Sequence, residues 1–516
     1  MSPEETLRLL PQLLRNGDFI GAEQHALAAL GVEPEHPALN AFAAFICANL
    51  QKRKVAIGFA RIAVTAVTES PRSVAQAANL LAQFRHFDEA LAAARSIDIA
   101  TTIDPVVLDQ IGACFTGCEA HHEAETAYAR LVDLVPNEPR CRFNLAAAQR
   151  FNGNLNAAAE NFDQASTSGP QAAEAAYARS LLREATNEHN NLDDLDLRLQ
   201  TPNIDPMSRA SLYYAKGKEC EDLEQWSDAF DAWTHGAKTL VQARPYAIEP
   251  EIEAINETIK AWPSAERAYQ HTELTPVFIV SLPRAGSTLL DRVLSSRGDV
   301  VSLGETEDFI VSLLEDASMA DFRDPVGMAR QTSNIDIHAV GDRYRVALKR
   351  RGHSRGHVID KTPTNFLYAG LIAEALPEAK IIHVIRDPRD AAIATYKTLF
   401  RDRYFWSYDL KNIATYITAY QSLMQHWQNK WSDRIECIAY EALVQNTEAE
   451  VRRITKFVGL EWDPACLDFA SNKASVTTAS AEHVRKPVYA SSIGHWKNFR
   501  NQLAPILPQL NALTRG

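Results

Sequence analysis

The sequence predicts a multidomain α + α/β protein, in which an N-terminal α-superhelix of repeated helix pairs precedes a P-loop-like domain built on a parallel sheet. Prolines and small residues recur at a fixed interval in the first part of the chain, which is typical of stacked helical repeats. Beyond residue 273, short β-branched runs alternate with helical segments, which is typical of a parallel sheet covered by helices. A glycine loop between the first run and its helix indicates an anion site.

The composition is that of an ordinary globular protein. The chain has 516 residues, of which 46% are hydrophobic and 23% charged, and that length allows about two to four domains. No run approaches about 18 apolar residues and the N-terminus lacks a signal-peptide pattern, so we expect a cytoplasmic protein without a membrane span. Seven scattered cysteines without a CxxC pair favour reduced thiols.

The negative charge is concentrated in the first part of the chain. Residues 1–270 carry 37 acidic and 23 basic side chains, whereas the remainder carries 28 acidic and 30 basic ones. This distribution argues against DNA or RNA as a partner of the first part. An anionic ligand of the second part stays compatible with it, because local basic residues decide such binding.

A 34-residue period defines a series of helix pairs. One set of prolines follows this period: Pro37, Pro71, Pro105 and Pro139. One set of alanines follows it without a gap: Ala22, Ala56, Ala90, Ala124 and Ala158. Small residues at fixed places let the two helices of a pair pack closely, and we expect the prolines to end the second helix of each pair.

This pattern resembles the tetratricopeptide repeat. Five repeats cover about residues 3–170, and a degenerate and then a clearer repeat follow up to residue 240. The sequence therefore predicts a repeat superhelix of about seven repeats over 1–240, a helical linker over 241–273 and a second domain over 274–516. The resemblance implies a concave surface that holds a peptide or protein; the alternative is a solenoid that only braces its neighbour.

The second domain contains three β-branched runs, each followed by a polar loop and a helical segment, at 276–282, 380–386 and 434–440. This order predicts a parallel sheet with helices on both faces. In such a sheet, ligands bind at the carboxyl ends of the strands. The loops that follow the three runs are therefore the first place to look for a site.

The loop after the first run, PRAGST from Pro283 to Thr288, resembles a phosphate loop but has no lysine before its serine and threonine. Its backbone N–H groups and the N-terminus of the following helix suit an anion, and Arg284 is its one cation. A P-loop kinase is disfavoured, because the Walker lysine and a clear Walker B acid are both missing.

Six segments of the second domain, taken in order, resemble the sulfotransferase superfamily. They are PRAGSTLL at 283–290, a glutamate at 305, DKTP at 360–363, VIRDPRD at 384–390, AYE at 439–441 and VRKPVYASSIGHW at 484–496. The branch that they resemble includes tyrosylprotein sulfotransferases and bacterial fusions of tetratricopeptide repeats with a sulfotransferase domain. The resemblance covers about residues 274–500.

The resemblance implies 3′-phosphoadenosine-5′-phosphosulfate (PAPS) as co-substrate, with no metal. The 5′-phosphate is expected to lie against the glycine loop. The loop residues expected to hold it, through side chains or N–H groups, are Arg284, Ala285, Gly286, Ser287 and Thr288.

The same resemblance assigns the 3′-phosphate to Arg386 and to a serine eight residues later. A guanidinium at a strand end suits bidentate phosphate binding. Ala394 occupies the serine position, so Thr395, Lys397 or Thr398 has to substitute for it, or the nucleotide binds more weakly.

Two further nucleotide contacts follow from the resemblance. Tyr440 matches a tyrosine near the nucleotide. The segment from Ser480 to Tyr489, with Val484 and the phosphate cation Lys486, matches a loop that closes over the nucleotide.

Sulfuryl transfer needs a base for the acceptor hydroxyl and cations or donors at the leaving oxygen. Glu305 occupies the position of the family's catalytic glutamate, with Glu307 as the alternative base. Lys361 and Ser480 match residues that contact the bridging oxygen. For Lys361 the alternative is an ion pair with Asp360.

These inferences predict a PAPS-dependent sulfotransferase whose acceptor is a hydroxyl of a protein tyrosine, a sugar or a small molecule, with the repeats recruiting the acceptor or a protein partner. The aromatic and basic stretch 397–410 is a candidate acceptor loop. The alternative is a non-catalytic repeat scaffold with a decayed sulfotransferase domain. Ala394, and His495 in place of a lysine of eukaryotic relatives, argue for that alternative.

Overall fold

The computed structural model describes residues 2–65, 70–261, 273–315, 325–331, 335–469, 472 and 490–514. The internal contacts divide the chain into two compact units, Met1–Gln171 and Ala172–Gly516. No helix in these described ranges is long and apolar enough to cross a lipid bilayer.

Five helix pairs make up the described part of the first unit. The helices are α1 (Pro3–Arg15), α2 (Phe19–Leu30), α3 (Pro37–Asn49), α4 (Arg53–Ala63), α5 (Pro71–Gln83), α6 (Phe87–Arg95), α7 (Pro105–Gly117), α8 (His121–Leu134), α9 (Pro139–Asn152) and α10 (Leu155–Ala165). The alanines of the 34-residue series lie on the second helix of each pair, and all of them are fully buried. This burial confirms that small residues let the helices pack closely.

We expected the prolines of the series to end the second helix of each pair, and that prediction was wrong. Pro37, Pro71, Pro105 and Pro139 instead open α3, α5, α7 and α9. The first helical position suits proline because its fixed φ is helical and its missing N–H would have no partner there.

The helix pair of α7 and α8 carries a large residue, Tyr128, where the preceding pairs have a small one, and a glycine on α7 compensates for it. Gly112 stands on α7 where the two preceding repeats have alanine, and Tyr128 stands on α8 where they have alanine as well. A Cβ atom on Gly112 would lie 2.6 Å from the Tyr128 ring. The glycine therefore makes room for the tyrosine, so that the helix pair keeps its close packing.

A buried histidine makes the first unit sensitive to acid. His121 begins α8 and is buried, its ring lies 4.8 Å from that of Phe151, and neither ring nitrogen has a hydrogen-bond partner among the described residues. Burial lowers the pKa of His121 to about 4. The unfolded chain, with its histidine near pKa 6.5, therefore binds more protons between about pH 4 and 6.5, and stability falls as the pH falls through that window.

We expect His121→Leu to reduce this loss. The wild-type free energy of unfolding should fall between pH 7 and pH 5 by about 2 kcal/mol more than that of the variant. Urea unfolding followed by circular dichroism at both pH values measures the difference. His25→Leu, at an exposed position of α2, is the control and should keep the wild-type slope; equal slopes for all three proteins would contradict the prediction.

The described part of the second unit begins with five helices and continues as a sheet with helices. The helices before the sheet are α11 (Ala172–Leu182), α12 (Leu192–Leu199), α13 (Pro206–Asp222), α14 (Trp226–Ala243) and α15 (Glu249–Ala261). Gly217 on α13 faces Trp233 on α14 so closely that any Cβ would overlap the indole ring. The spacing equals that of Gly112 and Tyr128, so α13 and α14 repeat the same fit.

All five described strands run parallel, in the order β2-β3-β1-β4-β5. The strands are β1 (Leu274–Val280), β2 (Val300–Ser302), β3 (Gly356–Asp360), β4 (Lys380–Ile385) and β5 (Ile435–Ala439). The helices that follow β1 are α16 (Ser287–Ser295), α17 (Asp308–Leu314), α18 (Pro325–Gln331), α19 (Ile337–Arg350), α20 (Ala369–Ala375), α21 (Pro388–Tyr396), α22 (Leu410–Lys430), α23 (Tyr440–Gln445), α24 (Thr447–Val458), α25 (Arg500–Leu503) and α26 (Leu507–Leu513).

Both faces of the sheet are buried. Val277 and Ile279 of β1 belong to one apolar cluster, with α16 and α24, whereas Phe278 and Val280 belong to another, with α19, α20 and α22. Alternate residues of a strand point to opposite faces, so helices cover the sheet on both sides. The predicted α/β architecture is thereby confirmed.

The division by contacts does not follow the boundary that the repeats predict. Helices α11 to α14 lie in the same compact unit as the sheet. The Tyr214 hydroxyl on α13 donates to the carbonyl of Tyr396 on α21 at 3.2 Å, and the Thr234 hydroxyl on α14 lies 2.9 Å from the Tyr396 hydroxyl. The boundaries at 240 and 273 stay predictions, and part of the linker lies outside the described residues.

Candidate active site

The site candidates follow the carboxyl ends of the parallel strands. Arg284 to Thr288 come after β1, Glu305 after β2, Lys361 after β3, Arg386 after β4 and Tyr440 after β5. Because the strands are parallel, these ends share one edge of the sheet, where ligands of open α/β sheets bind. Residues that are far apart in sequence are thereby gathered at one edge.

The loop after β1 has an unusual backbone. Arg284 has a φ of 64° and Gly286 a φ of 103°, both left-handed, and α16 begins directly after Gly286. A Cβ atom on Gly286 would overlap the ring of Tyr440, so only glycine fits there. Ala285, Ser287 and Thr288 are buried. The loop therefore presents backbone and the start of a nine-residue helix, which suits an anion.

Arg386 contacts three segments: the loop after β1, the segment around Ser492 and the start of α23 at Tyr440. Its Nη1 donates to the carbonyl of Arg284 at 2.8 Å, and its Nη2 donates to the carbonyl of Ser492 at 2.8 Å. The guanidinium carbon lies 4.9 Å from the centre of the Tyr440 ring, a cation–π contact. The Tyr440 hydroxyl lies 2.8 Å from the Ser492 hydroxyl. Nε of Arg386 is buried without a hydrogen-bond partner among the described residues.

Glu305 and Lys361 form an ion pair. Lys361 Nζ donates to Oε1 of Glu305 at 2.7 Å; the lysine is almost fully buried, whereas the glutamate side chain is 30% exposed. The pair is aligned by the backbone, since the N–H of Lys361 donates to the carbonyl of Gly304 at 2.9 Å. A buried cation thus faces a carboxylate that solvent and a ligand can reach.

Lys361 does not pair with Asp360, which was the alternative. The Asp360 carboxylate is fully buried, and burial raises its pKa to about 6. Its oxygens accept four hydrogen bonds, from the Thr306 and Tyr344 hydroxyls, the Thr362 N–H and the Asn365 amide. Asp360 is therefore a structural residue that fixes the strand end on which Lys361 stands.

A second carboxyl lies in the electrostatic range of Lys361. Asp291 on α16 is buried, and its Oδ1 has no hydrogen-bond partner among the described residues. Burial raises the pKa of Asp291, and the charge of Lys361 opposes that rise. Sequence reasoning did not single out Asp291, because a helical aspartate gives no sign of facing inward.

None of the three proposed substitutes for the missing serine hydrogen-bonds to Arg386. Thr395 is buried on α21. The hydroxyl of Thr398 donates to the carbonyl of Ala394 in its own helix at 2.8 Å. Lys397 pairs with Glu221 of α13 at 2.7 Å. Thr395 therefore stays a predicted contact, while Lys397 and Thr398 are used elsewhere.

The other charged residues of the VIRDPRD motif do not face the proposed ligand but hold neighbouring segments in place. Arg389 pairs with Asp387 at 2.5 Å, and its guanidinium also lies 4.5 Å from the centre of a Trp496 ring. Asp390 accepts hydrogen bonds from the N–H groups of Gly494 at 2.6 Å and Trp496 at 2.9 Å. These contacts hold the segment that carries Ser492 against the start of α21.

The candidate acceptor stretch is mostly core. Phe405, Trp406 and Tyr408 are buried, and the Trp406 ring stacks on that of Tyr416 at 4.1 Å. The interpretation of these aromatic residues as an acceptor loop was wrong, since they fill the interior next to α22. Residues 401–403 are exposed, and Arg403 reaches Glu307, the alternative base, at 3.3 Å.

Three predicted site residues, Ser480, Val484 and Lys486, lie outside the described residues. The described segment beyond them adds one residue that sequence reasoning missed, since Ser492 contacts both Arg386 and Tyr440. It stands inside the last motif of the resemblance, and that position was the available signal. Glu221 was missed too, and nothing near it in the sequence points to the site.

Comparison with known proteins agrees with this geometry. Residues 276–464 match the model of the sulfotransferase family. An uncharacterized protein of Aquifex aeolicus (strain VF5) is 27% identical over 338 residues, 63% of this chain and 44% of that protein. The protein-tyrosine sulfotransferase of Drosophila melanogaster is 23% identical over 276 residues, 48% of this chain and 53% of that protein.

Protein-tyrosine sulfotransferase A of Caenorhabditis elegans is 25% identical over 234 residues, 43% of this chain and 60% of that protein. The chain spans about half the length of these curated relatives. The matched residues 276–464 include the ends of all five strands, and helix pairs with a 34-residue period precede them. Residues 276–464 therefore match the sulfotransferase family, and helical repeats of the tetratricopeptide type precede them in the sequence.

Proposed function

We propose that this chain transfers a sulfuryl group from PAPS to an acceptor hydroxyl, with Glu305 as the base. The observation that carries the proposal is the ion pair of Glu305 and Lys361 at 2.7 Å, on the sheet edge that also holds the Gly286 loop. A reachable carboxylate and a buried cation side by side meet the two demands of the reaction, a proton acceptor and a counter-charge.

The residues of the loop and of the β4 end fit a nucleotide that carries two phosphates. The left-handed loop at Gly286, which packs too closely on Tyr440 to admit a Cβ, and the N-terminus of α16 suit the 5′-phosphate, together with Arg284, Ser287 and Thr288. The buried Nε of Arg386, without a partner among the described residues, supports assignment of the 3′-phosphate to this guanidinium.

A bound PAPS supplies an activated sulfuryl group. Glu305 would orient the acceptor hydroxyl and take its proton as the hydroxyl oxygen bonds to the sulfur of the sulfuryl group. The bond between sulfur and the phosphate oxygen would break, with 3′-phosphoadenosine-5′-phosphate as the leaving group; Lys361 would offer its ammonium N–H groups to that oxygen, and Ser480 is proposed to donate there as well. Val484 and Lys486 are proposed to close over the nucleotide. Because the phosphates are held by arginine, lysine and backbone N–H groups, these roles require no metal.

A protein tyrosine is the first acceptor to test, because two of the relatives are protein-tyrosine sulfotransferases by name. A sugar or a small molecule with a hydroxyl is the second choice. The repeats are proposed to recruit the acceptor or a protein partner, as stacked helical repeats do through their concave surfaces.

Calorimetric titration with 3′-phosphoadenosine-5′-phosphate, without magnesium, tests the proposed nucleotide site. We expect binding by the wild type and an affinity about 100-fold lower in Arg386→Ala, because a bidentate charged contact is lost. Arg452→Ala removes an exposed arginine that pairs with Glu448 in its own helix and should bind as the wild type does. A wild type that does not bind would favour the alternative, a repeat scaffold with a decayed sulfotransferase domain.

A further inference from the structure

We infer that Glu221, on helix α13 and so ahead of the residues that match the sulfotransferase family, is a positioning residue of the nucleotide site. It acts through Lys397 and His495, which it holds with one carboxylate. The inference rests on the proposed function, because the site that Glu221 positions is the one assigned there to PAPS. It gives the helix pair α13 and α14 a task within the enzyme that is separate from recruitment.

The Glu221 carboxylate is the centre of a three-residue ionic cluster. Lys397 Nζ lies 2.7 and 2.9 Å from its two oxygens, and Nε2 of His495 lies 2.7 Å from Oε1. The Glu221 side chain is only 14% exposed. Burial alone works to raise its pKa, but Lys397 and His495 outweigh burial and lower the pKa of Glu221 to about 2. The carboxylate is therefore charged over the whole working range of pH.

Aromatic packing also fixes the helix pair against the two segments that carry Lys397 and His495. On α14, the Trp226 ring lies 5.7 Å from His495 and 5.6 Å from Phe499, and the Phe230 ring stacks on Tyr396 at 5.1 Å. Tyr396 ends α21, the helix that follows Arg386, and His495 stands three residues after Ser492. The helix pair thus contacts the two segments that flank the proposed phosphate contacts.

The segment around Ser492 has little regular structure of its own. It consists of two short 3₁₀ turns, Ala490–Ser492 and His495–Phe499. Its position depends on the buried Phe499 ring, on the hydrogen bonds to Asp390 and on the Glu221–His495 contact. Ser492 reaches Arg386 and Tyr440 only while that segment stays in place.

The cluster explains how the chain accommodates its two departures from the family pattern, Ala394 and His495. Lys397 cannot stand in for the missing serine while Glu221 holds it, and His495 is the group through which the cluster reaches the Ser492 segment. Loss of the carboxylate charge leaves a lysine and a histidine facing each other across the junction of α21 and this segment, with no anion between them. We expect the segment to loosen and the nucleotide to bind less tightly.

The test compares Glu221→Gln, His495→Asn and the double variant in the full-length chain. Calorimetric titration with 3′-phosphoadenosine-5′-phosphate should give an affinity about tenfold lower for Glu221→Gln, and no further loss in the double variant, since both changes break one cluster. Hydrogen exchange of peptides over 491–499, without nucleotide, should be faster in Glu221→Gln. A residue that only supported overall stability would leave the affinity of the folded protein unchanged.

Glu253→Gln is the matched control, because Glu253 is an exposed helical glutamate that pairs with Arg330; its nucleotide affinity should stay within about twofold of the wild type. Wild-type affinity in a folded Glu221→Gln protein overturns the inference and leaves the proposed function standing. Absence of binding in the wild type overturns the proposed function and this inference with it. If Glu221→Gln does not fold, His495→Asn decides alone: weaker binding supports the inference and unchanged binding overturns it.

Discussion

Replacement of Glu305 by glutamine is expected to lower the turnover number about a thousandfold, because glutamine keeps the shape of the side chain but cannot accept the hydroxyl proton. The affinity for 3′-phosphoadenosine-5′-phosphate should stay within about twofold of the wild type, since the proposed phosphate contacts lie on other strand ends. Turnover is measured as transfer of labelled sulfate from PAPS to an acceptor found in a screen that starts with tyrosine peptides.

Because Glu305 forms an ion pair with Lys361, the stability of this variant has to be measured as well as its turnover. Lys361 is almost fully buried, and Glu305→Gln takes away the carboxylate that pairs with it at 2.7 Å, so part of the stability is expected to be lost as well. Thermal unfolding of the variant separates that loss from the loss of turnover at a temperature where the protein stays folded.

Glu307→Gln is the matched control for the choice of base. Glu307 stands two residues away, its side chain is 41% exposed, and its carboxylate faces Arg403 instead of Lys361. We expect this variant to keep most of its turnover. If Glu307→Gln lost turnover while Glu305→Gln retained it, the roles of the two glutamates would have to be exchanged.

Part of the candidate site could be predicted from the sequence, because its residues directly follow strands. Runs such as KIIHVI are long and β-branched enough to be recognised, and the polar residue after such a strand, here Arg386, then falls on the carboxyl edge. The strand before Glu305 has three residues and the one before Lys361 has five. Neither is long enough for a periodic pattern, so the sequence assigned their residues by resemblance and not by structure.

The contacts that could not be predicted are the ones that cross long stretches of chain. Glu221 meets residues 176 and 274 positions further on, and no local pattern encodes such a pairing. The buried aromatic stretch after α21 was misread for a related reason. Exposed and buried aromatic residues have the same sequence signal, and only the position of α22 decides which of them is core.

Gly286→Ala is expected to have the second large effect, on both stability and nucleotide affinity. The residue has a φ of 103°, and its Cβ would overlap the Tyr440 ring, so alanine has to shift either the loop or the ring. Left-handed backbone alone costs about 1–2 kcal/mol for alanine, and displacement of Tyr440 adds to that. Because the loop and Tyr440 are both proposed nucleotide contacts, we expect about 100-fold weaker binding of 3′-phosphoadenosine-5′-phosphate.

Gly352→Ala separates the two costs. Gly352 also has a left-handed φ, 87°, but a Cβ there meets nothing within 4 Å. It should therefore lose only the backbone contribution of about 1–2 kcal/mol and bind the nucleotide as the wild type does. Urea unfolding and calorimetric titration measure both quantities. If Gly286→Ala lost no more stability than Gly352→Ala and kept its affinity for the nucleotide, the prediction would be contradicted. The close contact between the loop and Tyr440 would then have no part in shaping the anion site.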